Sequence, residues 1–158
     1  MSEQHEAYSY RVTFNAMHNI VIDDPTKMHA HTFRVGLYAI KRQDKQSDFL
    51  RNERLLQEYF SRFRGIRLNE MHEFRNLVPT LENMADVFYH DLKKLLADNG
   101  MELLTLDMGD SPVYTYSIGE RILLGSMYNL NNEQKIEEYC KRVRKRYEER
   151  ARAEEDGQ

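Results

Sequence analysis

The fold is decided by two stretches of alternating sequence, YSYRVTFNAMH at residues 8–18 and HAHTFRVGLYA at residues 29–39. In each stretch an apolar or aromatic side chain recurs at every second position, which is typical of a strand with one buried face. The histidines at positions 18, 29 and 31 fall on those buried faces. Between the stretches, DDPT at residues 23–26 is a turn signal, so the two strands are predicted to pair antiparallel through a longish loop.

Beyond residue 42 the apolar spacing becomes helical and later alternates again. Asp48 is expected in the first turn of one helix, and Thr80 is the predicted N-cap of a second helix that ends at an Asn-Gly pair. The pattern predicts helices over residues 48–63 and 80–99, then strands over residues 101–108 and 112–118, with a turn through Gly109 and Asp110. The predicted order is ββααββ, which is an α+β fold.

The C-terminal part reads as a separate polar helix. Residues 132–153 carry only a narrow apolar stripe, so we divide the chain into a domain at 1–128 and a helical extension at 129–158. Basic side chains are numerous in this extension, but acidic ones are interleaved at i,i+4 spacing. This pattern favours a solvated helix over a nucleic-acid-binding surface.

Composition sets further bounds. The chain has 158 residues, is 41% hydrophobic and 31% charged, and carries a net charge of −3, which fits one globular domain and gives no general attraction to nucleic acid or anionic membranes. The single cysteine, Cys140, excludes an intramolecular disulfide framework. No apolar run approaches the roughly 20 residues that span a bilayer. We therefore expect a cytoplasmic protein without membrane contact.

The three histidines on the buried faces are a candidate metal site. His29 and His31 leave the same face of their strand, and His18 ends the preceding strand, so the hairpin can bring all three together. Three imidazoles without a fourth protein ligand are a recognised zinc set that keeps one position open. The alternative is that the histidines are merely polar caps on strand ends, and spacing alone does not decide between the two.

Four short motifs in this order resemble the 6-pyruvoyl-tetrahydropterin synthase and 6-carboxy-tetrahydropterin synthase family. They are FNAMH at residues 14–18, MHAHTF at 28–33, LN at 68–69 and PTLEN at 79–83. The resemblance implies a T-fold, in which a four-stranded antiparallel sheet carries two helices on one face and subunits join edge to edge into homo-oligomers. It also implies that zinc is held by His18, His29 and His31.

By the same resemblance, Thr80 and Glu82 match the T-x-E-N segment that lies beside the family's pterin pocket. A helix N-terminus offers free backbone N–H groups, which suits a polar heterocycle such as a pterin or a purine-like ligand. The alternative is that Thr80 simply caps the helix while Glu82 interacts favourably with its dipole.

The sequence departs from the family where protons are moved. Family members commonly carry a cysteine four residues before the H-G-H motif, and Pro25 stands there. An Asp-His pair usually precedes the x-x-L-N segment, and the aligned residues are Arg64 and Gly65. His72 is the candidate replacement for acid–base work, because an imidazole titrates near neutrality; the alternative is that it is a solvated loop histidine.

The ring-anchoring glutamate of the family is also missing. Its aligned position is Met108 or Gly109, according to where the turn is placed. Asp107 or Asp110 could substitute only with a shift in alignment.

Three functions are compatible with the sequence. The first is a zinc enzyme of the family acting on a pterin or related nucleotide-derived substrate through substitute residues. The second is different chemistry at the retained zinc, such as hydrolysis. The third is a non-catalytic T-fold binding or scaffold protein. Loss of the family's proton-transfer residues argues against an ordinary synthase.

Overall fold

The structure is a computed structural model that describes residues 7–119 together with Lys145 and Arg152. Contacts divide the chain after Arg121 into two compact units, and every strand and helix named below belongs to the first. Its strands are β1 (Tyr8–His18), β2 (His29–Lys41), β3 (Met101–Gly109) and β4 (Tyr116–Gly119), and its helices are α1 (Phe49–Ser61) and α2 (Leu81–Asp98). The predicted ββααββ order is confirmed.

The four strands form one antiparallel sheet in the order β1-β2-β3-β4. β1 and β2 pair along the whole of β1, with Val12 opposite Val35 and Phe14 opposite Phe33. This register brings the inward faces of the two strands into line, because residues directly opposite each other point to the same side of a sheet.

Both helices cover one face of this sheet. That face contributes alternate residues of β1 and β2 to the core, among them Phe14, Phe33 and Leu37, and these pack against Phe60 of α1 and Phe88 of α2. The alternation in the sequence thus predicted the buried face correctly, because a strand that is covered on one side only must hide every second side chain.

Side-chain caps begin both helices: Thr80 is the N-cap that the sequence predicts, whereas Asp48, expected in the first turn, is the N-cap of α1. The Asp48 carboxylate accepts hydrogen bonds from the backbone N–H groups of Leu50 and Arg51, and the Thr80 hydroxyl accepts one from the N–H of Asn83. After α2, Gly100 adopts φ +80°, and a Cβ at this position would lie 2.7 Å from the carbonyl oxygen of Gln46. Glycine is therefore required there for both its conformation and its size.

The turn between the last two strands was predicted too short. β3 extends through Gly109, β4 begins only at Tyr116, and residues 110–115 form a loop. Pro112 has no N–H to donate to a ladder, and the Val113 side chain is 94% exposed, so neither residue is held in the sheet. The predicted C-terminal helix and the boundary at residue 128 lie outside the described ranges and stay predictions.

Within the described part of the chain, no helix combines the length and apolarity needed to cross a membrane.

Candidate metal centre

Strand register brings the three histidines together. His18, the last residue of β1, lies directly opposite His29, the first residue of β2, and His31 lies opposite Ala16 two positions further along. Each pair of the three rings has centroids 4.6 to 5.3 Å apart. Among the described residues, these three are the one group of potential metal ligands that converges, with donor atoms all within 4.8 Å of one another.

His18 is the most constrained member of the cluster. Its side chain is 3% exposed, and its Nδ1 lies 2.7 Å from the carbonyl oxygen of Pro79. A carbonyl oxygen can only accept, so Nδ1 must carry the proton and Nε2 must be an acceptor. That Nε2 is buried and has no hydrogen-bond partner in the described structure. A buried acceptor without a partner needs an explanation, and service as a metal ligand is one.

The His29 ring, like that of His18, is held by a backbone carbonyl. Its Nδ1 lies 2.8 Å from the carbonyl oxygen of Lys27, so its Nε2 is also left as the acceptor. His29 and His31 are both at least partly exposed, which gives the cluster an open side. Phe33 lies beneath it, with its fully buried ring in edge contact with the rings of His18 and His31.

Burial lowers the pKa of His18 below 6.5, and the neighbouring His29 and His31 lower it further. The hydrogen bond to Pro79 and the nearby charge of Asp110 act in the opposite direction. The net effect keeps His18 neutral near neutral pH, which is the form that binds a metal.

These residues fit zinc. Zinc–nitrogen bonds of about 2.0–2.1 Å place two ligand nitrogens at most about 4 Å apart, so only small ring movements separate the observed cluster from a coordinated one. Backbone carbonyls already orient two of the three rings, as is usual for histidines that ligate metals.

A second contact network fixes the backbone beside His18. The side chain of Asn69 accepts a hydrogen bond from the Asn19 N–H and donates one to the Asn19 carbonyl, both at 2.8 Å. One residue before His18, the Met17 N–H donates to the carbonyl of Ile66. Asn69 of the Leu68-Asn69 motif therefore fixes the backbone next to His18, a candidate metal ligand, and no local sequence pattern indicates this role.

The residues that the motif resemblance aligns with the family's proton-transfer positions, Pro25, Arg64 and Gly65, have local structural roles. Pro25 is exposed and begins a short 3-10 helix, Pro25–Lys27, that is capped by Asp24. Arg64 is exposed and donates to Gln57, and Gly65 adopts φ +70°. Proline favours a helix start, and glycine readily adopts a positive φ, so both residues suit the local backbone.

Thr80 and Glu82 lie at the N-terminus of α2, just after the carbonyl that holds His18. The Thr80 hydroxyl caps the helix, which is the alternative to pterin binding that the sequence left open for this residue. The Glu82 carboxylate accepts a hydrogen bond from the Tyr114 hydroxyl at 3.2 Å. Tyr114 had not been predicted to take part, because the turn that contains it was expected to be shorter.

The two aspartates that could replace the ring anchor lie in different places. Asp107 pairs with Gly36, and both residues lie on the face of the sheet that points away from the helices. The Asp107 carboxylate accepts a 2.6 Å hydrogen bond from the Ser117 hydroxyl. Burial raises its pKa above 3.8. Asp110 is the aspartate that influences the pKa of His18. Asp110 follows Gly109, which pairs with Arg34 three residues along β2 from His31, whereas Asp107 pairs with Gly36, five residues from His31.

His72 begins a short 3-10 helix, His72–Phe74, and is exposed at the surface. It does not belong to the convergent histidine group of the described residues.

Comparison with known proteins agrees with this geometry. The family model for 6-pyruvoyl tetrahydropterin synthase matches residues 7–121. The structure is similar to that of Caenorhabditis elegans 6-pyruvoyl tetrahydropterin synthase, with a TM-score of 0.60, 12% sequence identity, and coverage of 75% of this chain and 97% of that one. An uncharacterized protein from Wolinella succinogenes is similar at a TM-score of 0.58 and 12% identity, with 75% and 100% covered. No curated protein sequence matches the chain. The predicted T-fold is confirmed.

Proposed function

This chain belongs to the 6-pyruvoyl tetrahydropterin synthase family, and on that premise we propose that it is a zinc-binding member whose metal centre takes a pterin or a related purine-like heterocycle. The observation that carries the proposal is the buried, unpartnered Nε2 of His18 beside two further imidazoles. Zinc, when bound there, supplies a Lewis acid that polarises an oxygen of the ligand.

The chain's own residues orient the site. The carbonyls of Pro79 and Lys27 fix the rings of His18 and His29, and they do so by holding the Nδ1 protons. Glu82, in the first turn of α2, is the carboxylate proposed to accept N–H groups of the heterocycle, and Thr80 is proposed to line the same pocket. Asp110, whose charge acts on His18, is a further candidate for the ligand side of the site.

Proton transfer is where this member is proposed to differ from the family. Pro25 cannot move a proton, and Arg64 and Gly65 do not reproduce an Asp-His pair. General acid–base catalysis typically contributes about 10²–10⁴-fold, so we expect synthase turnover to be lower than that of the family by at least this factor. His72 is the first residue to test if slow turnover is found.

We further propose that the protein is a homo-oligomer. β1 and β4 are the outer strands of the described sheet, and in the described residues β1 gains further backbone partners near its end, where Asn15 accepts from Gly65 and Met17 bridges to Arg67. Unpaired edges promote association. The apolar side chains of residues 20–22, directly after His18 and Asn19, are 47–70% exposed and support a subunit contact beside the metal. A cytoplasmic location is part of the same proposal, since the one cysteine suits a reducing compartment.

The test is metal analysis and ligand titration of untagged protein. We expect close to one zinc per chain, removed by a chelator and restored by added zinc, and quenching of pterin fluorescence that requires the metal. Light scattering after size exclusion measures the subunit number. Absence of zinc after incubation with an excess of the ion would contradict the metal assignment.

Two substrates separate this proposal from its alternatives. Slow turnover of dihydroneopterin triphosphate would show a weakened synthase, whereas turnover of activated esters would indicate a hydrolase. Zinc and pterin binding without either activity would indicate a binding protein. Zinc without pterin binding would refute the proposed ligand class.

A further inference from the structure

Two hydrogen bonds join the loop at residues 110–115 to β2 and to α2. The guanidinium of Arg34 donates to the carbonyl of Ser111, and the Tyr114 hydroxyl donates to Oε1 of Glu82 at 3.2 Å. The loop begins at Asp110, directly after Gly109, which pairs with Arg34 three residues along β2 from His31. It therefore runs from the neighbourhood of the histidine cluster to the first turn of α2.

The hydrogen bond from Tyr114 uses only one oxygen of the Glu82 carboxylate. Glu82 is partly buried, and in the described residues its Oε2 accepts no hydrogen bond. A carboxylate offers about four acceptor sites on its two oxygens, so the bond from Tyr114 leaves most of that capacity available. Glutamate is otherwise a flexible side chain that loses conformational freedom when a ligand orders it.

We propose that Tyr114 is a positioning residue for Glu82: its hydroxyl fixes the carboxylate in advance, so that Oε2 can accept N–H donors of a planar heterocycle at the metal centre. Preorganisation of this kind strengthens binding because the ordering cost is met before the ligand arrives. The inference rests on the proposed function, since it assigns a role at the same site.

The test compares Y114F with Y38F in zinc-loaded protein. Both substitutions remove one phenol hydroxyl, but Tyr38 lies in the set of sheet positions that faces away from the helices. With pterin itself as the probe, we expect Y114F to weaken binding about 3- to 10-fold, the effect of losing one ordinary hydrogen bond, because the Tyr114–Glu82 bond is long at 3.2 Å and exposed. Zinc affinity should be unchanged, and Y38F should bind pterin as the wild type does.

A double-mutant cycle separates positioning from a general structural effect. In an E82A background, Y114F should have no further effect on the pterin Kd, because the carboxylate that it positions is absent. An equal loss in both backgrounds, or a Y114F variant that binds pterin as tightly as the wild type or more tightly, would overturn the inference.

Amide hydrogen exchange provides a readout that needs no ligand. Y114F and E82A should each accelerate exchange of residues 110–115 in the zinc-loaded protein. If the wild type binds no pterin, the proposed ligand class fails, and exchange alone then decides the positioning role. Faster exchange in both variants supports the Tyr114–Glu82 tie, and unchanged exchange overturns it.

Discussion

Replacing His18 with leucine should separate the metal's contribution to stability from the fold's own. Leucine is similar to histidine in volume and is tolerated in a buried site. In metal-free protein the variant loses the hydrogen bond to Pro79 but also removes the buried Nε2 that has no partner. These effects oppose each other and are each worth about 1–3 kcal/mol, so we expect metal-free stability within about 2 kcal/mol of the wild type.

Zinc should then distinguish the two proteins sharply. At a free zinc concentration 100 times Kd, the wild type gains about 2.7 kcal/mol. For a chain of 158 residues this corresponds to a rise in Tm of about 5–11 °C. H18L retains two of the three imidazoles and should show little or no zinc-dependent shift.

The assay is thermal unfolding of untagged protein, with chelator and with zinc. H90L is the matched control, since His90 is an exposed histidine on α2 that pairs with Asp86 and lies outside the cluster. It should keep the full shift. If H18L kept the wild-type shift, or if H90L lost it, the ligand assignment would be wrong.

Three further substitutions test other parts of the structure. Because burial raises the pKa of Asp107 above 3.8, the folded protein holds that proton more tightly than the unfolded chain, and ionisation destabilises the fold as pH rises through this range. D107N should therefore unfold at higher urea than the wild type at pH 7, with the gain disappearing as pH falls toward 3.8; a gain that persists in acid would refute this. Gly65 and Gly100 both have positive φ, but a Cβ meets open space at Gly65 and a backbone oxygen at Gly100. G65A should cost about 1–2 kcal/mol in urea unfolding and G100A should cost more, and the reverse order would contradict the steric argument. N69A removes both hydrogen bonds to Asn19, so calorimetric zinc titration should show affinity reduced by about tenfold or more, and unchanged affinity would show that the clamp does not support the ligand.

The sequence by itself determined the order of the elements as far as β4 and the buried faces of β1 and β2. Alternation in β1 and β2 and the N-cap Thr80 are local signals, and the structure uses them as predicted. Asp48, expected in the first turn of α1, is its N-cap. The convergence of His18 with His29 and His31 also followed from strand periodicity and an antiparallel turn, because these fix both face and end.

Tertiary structure alone decided what orients the site. The carbonyl of Pro79 holds a histidine 61 positions earlier, and Asn69 clamps a backbone 50 positions away. No local pattern encodes such contacts, since they depend on how α2 and the segment before it pack against the end of β1. The Tyr114–Glu82 hydrogen bond could not be predicted from the sequence for a related reason. It depends on the length of the loop, which is set by the residue at which β4 rejoins the sheet.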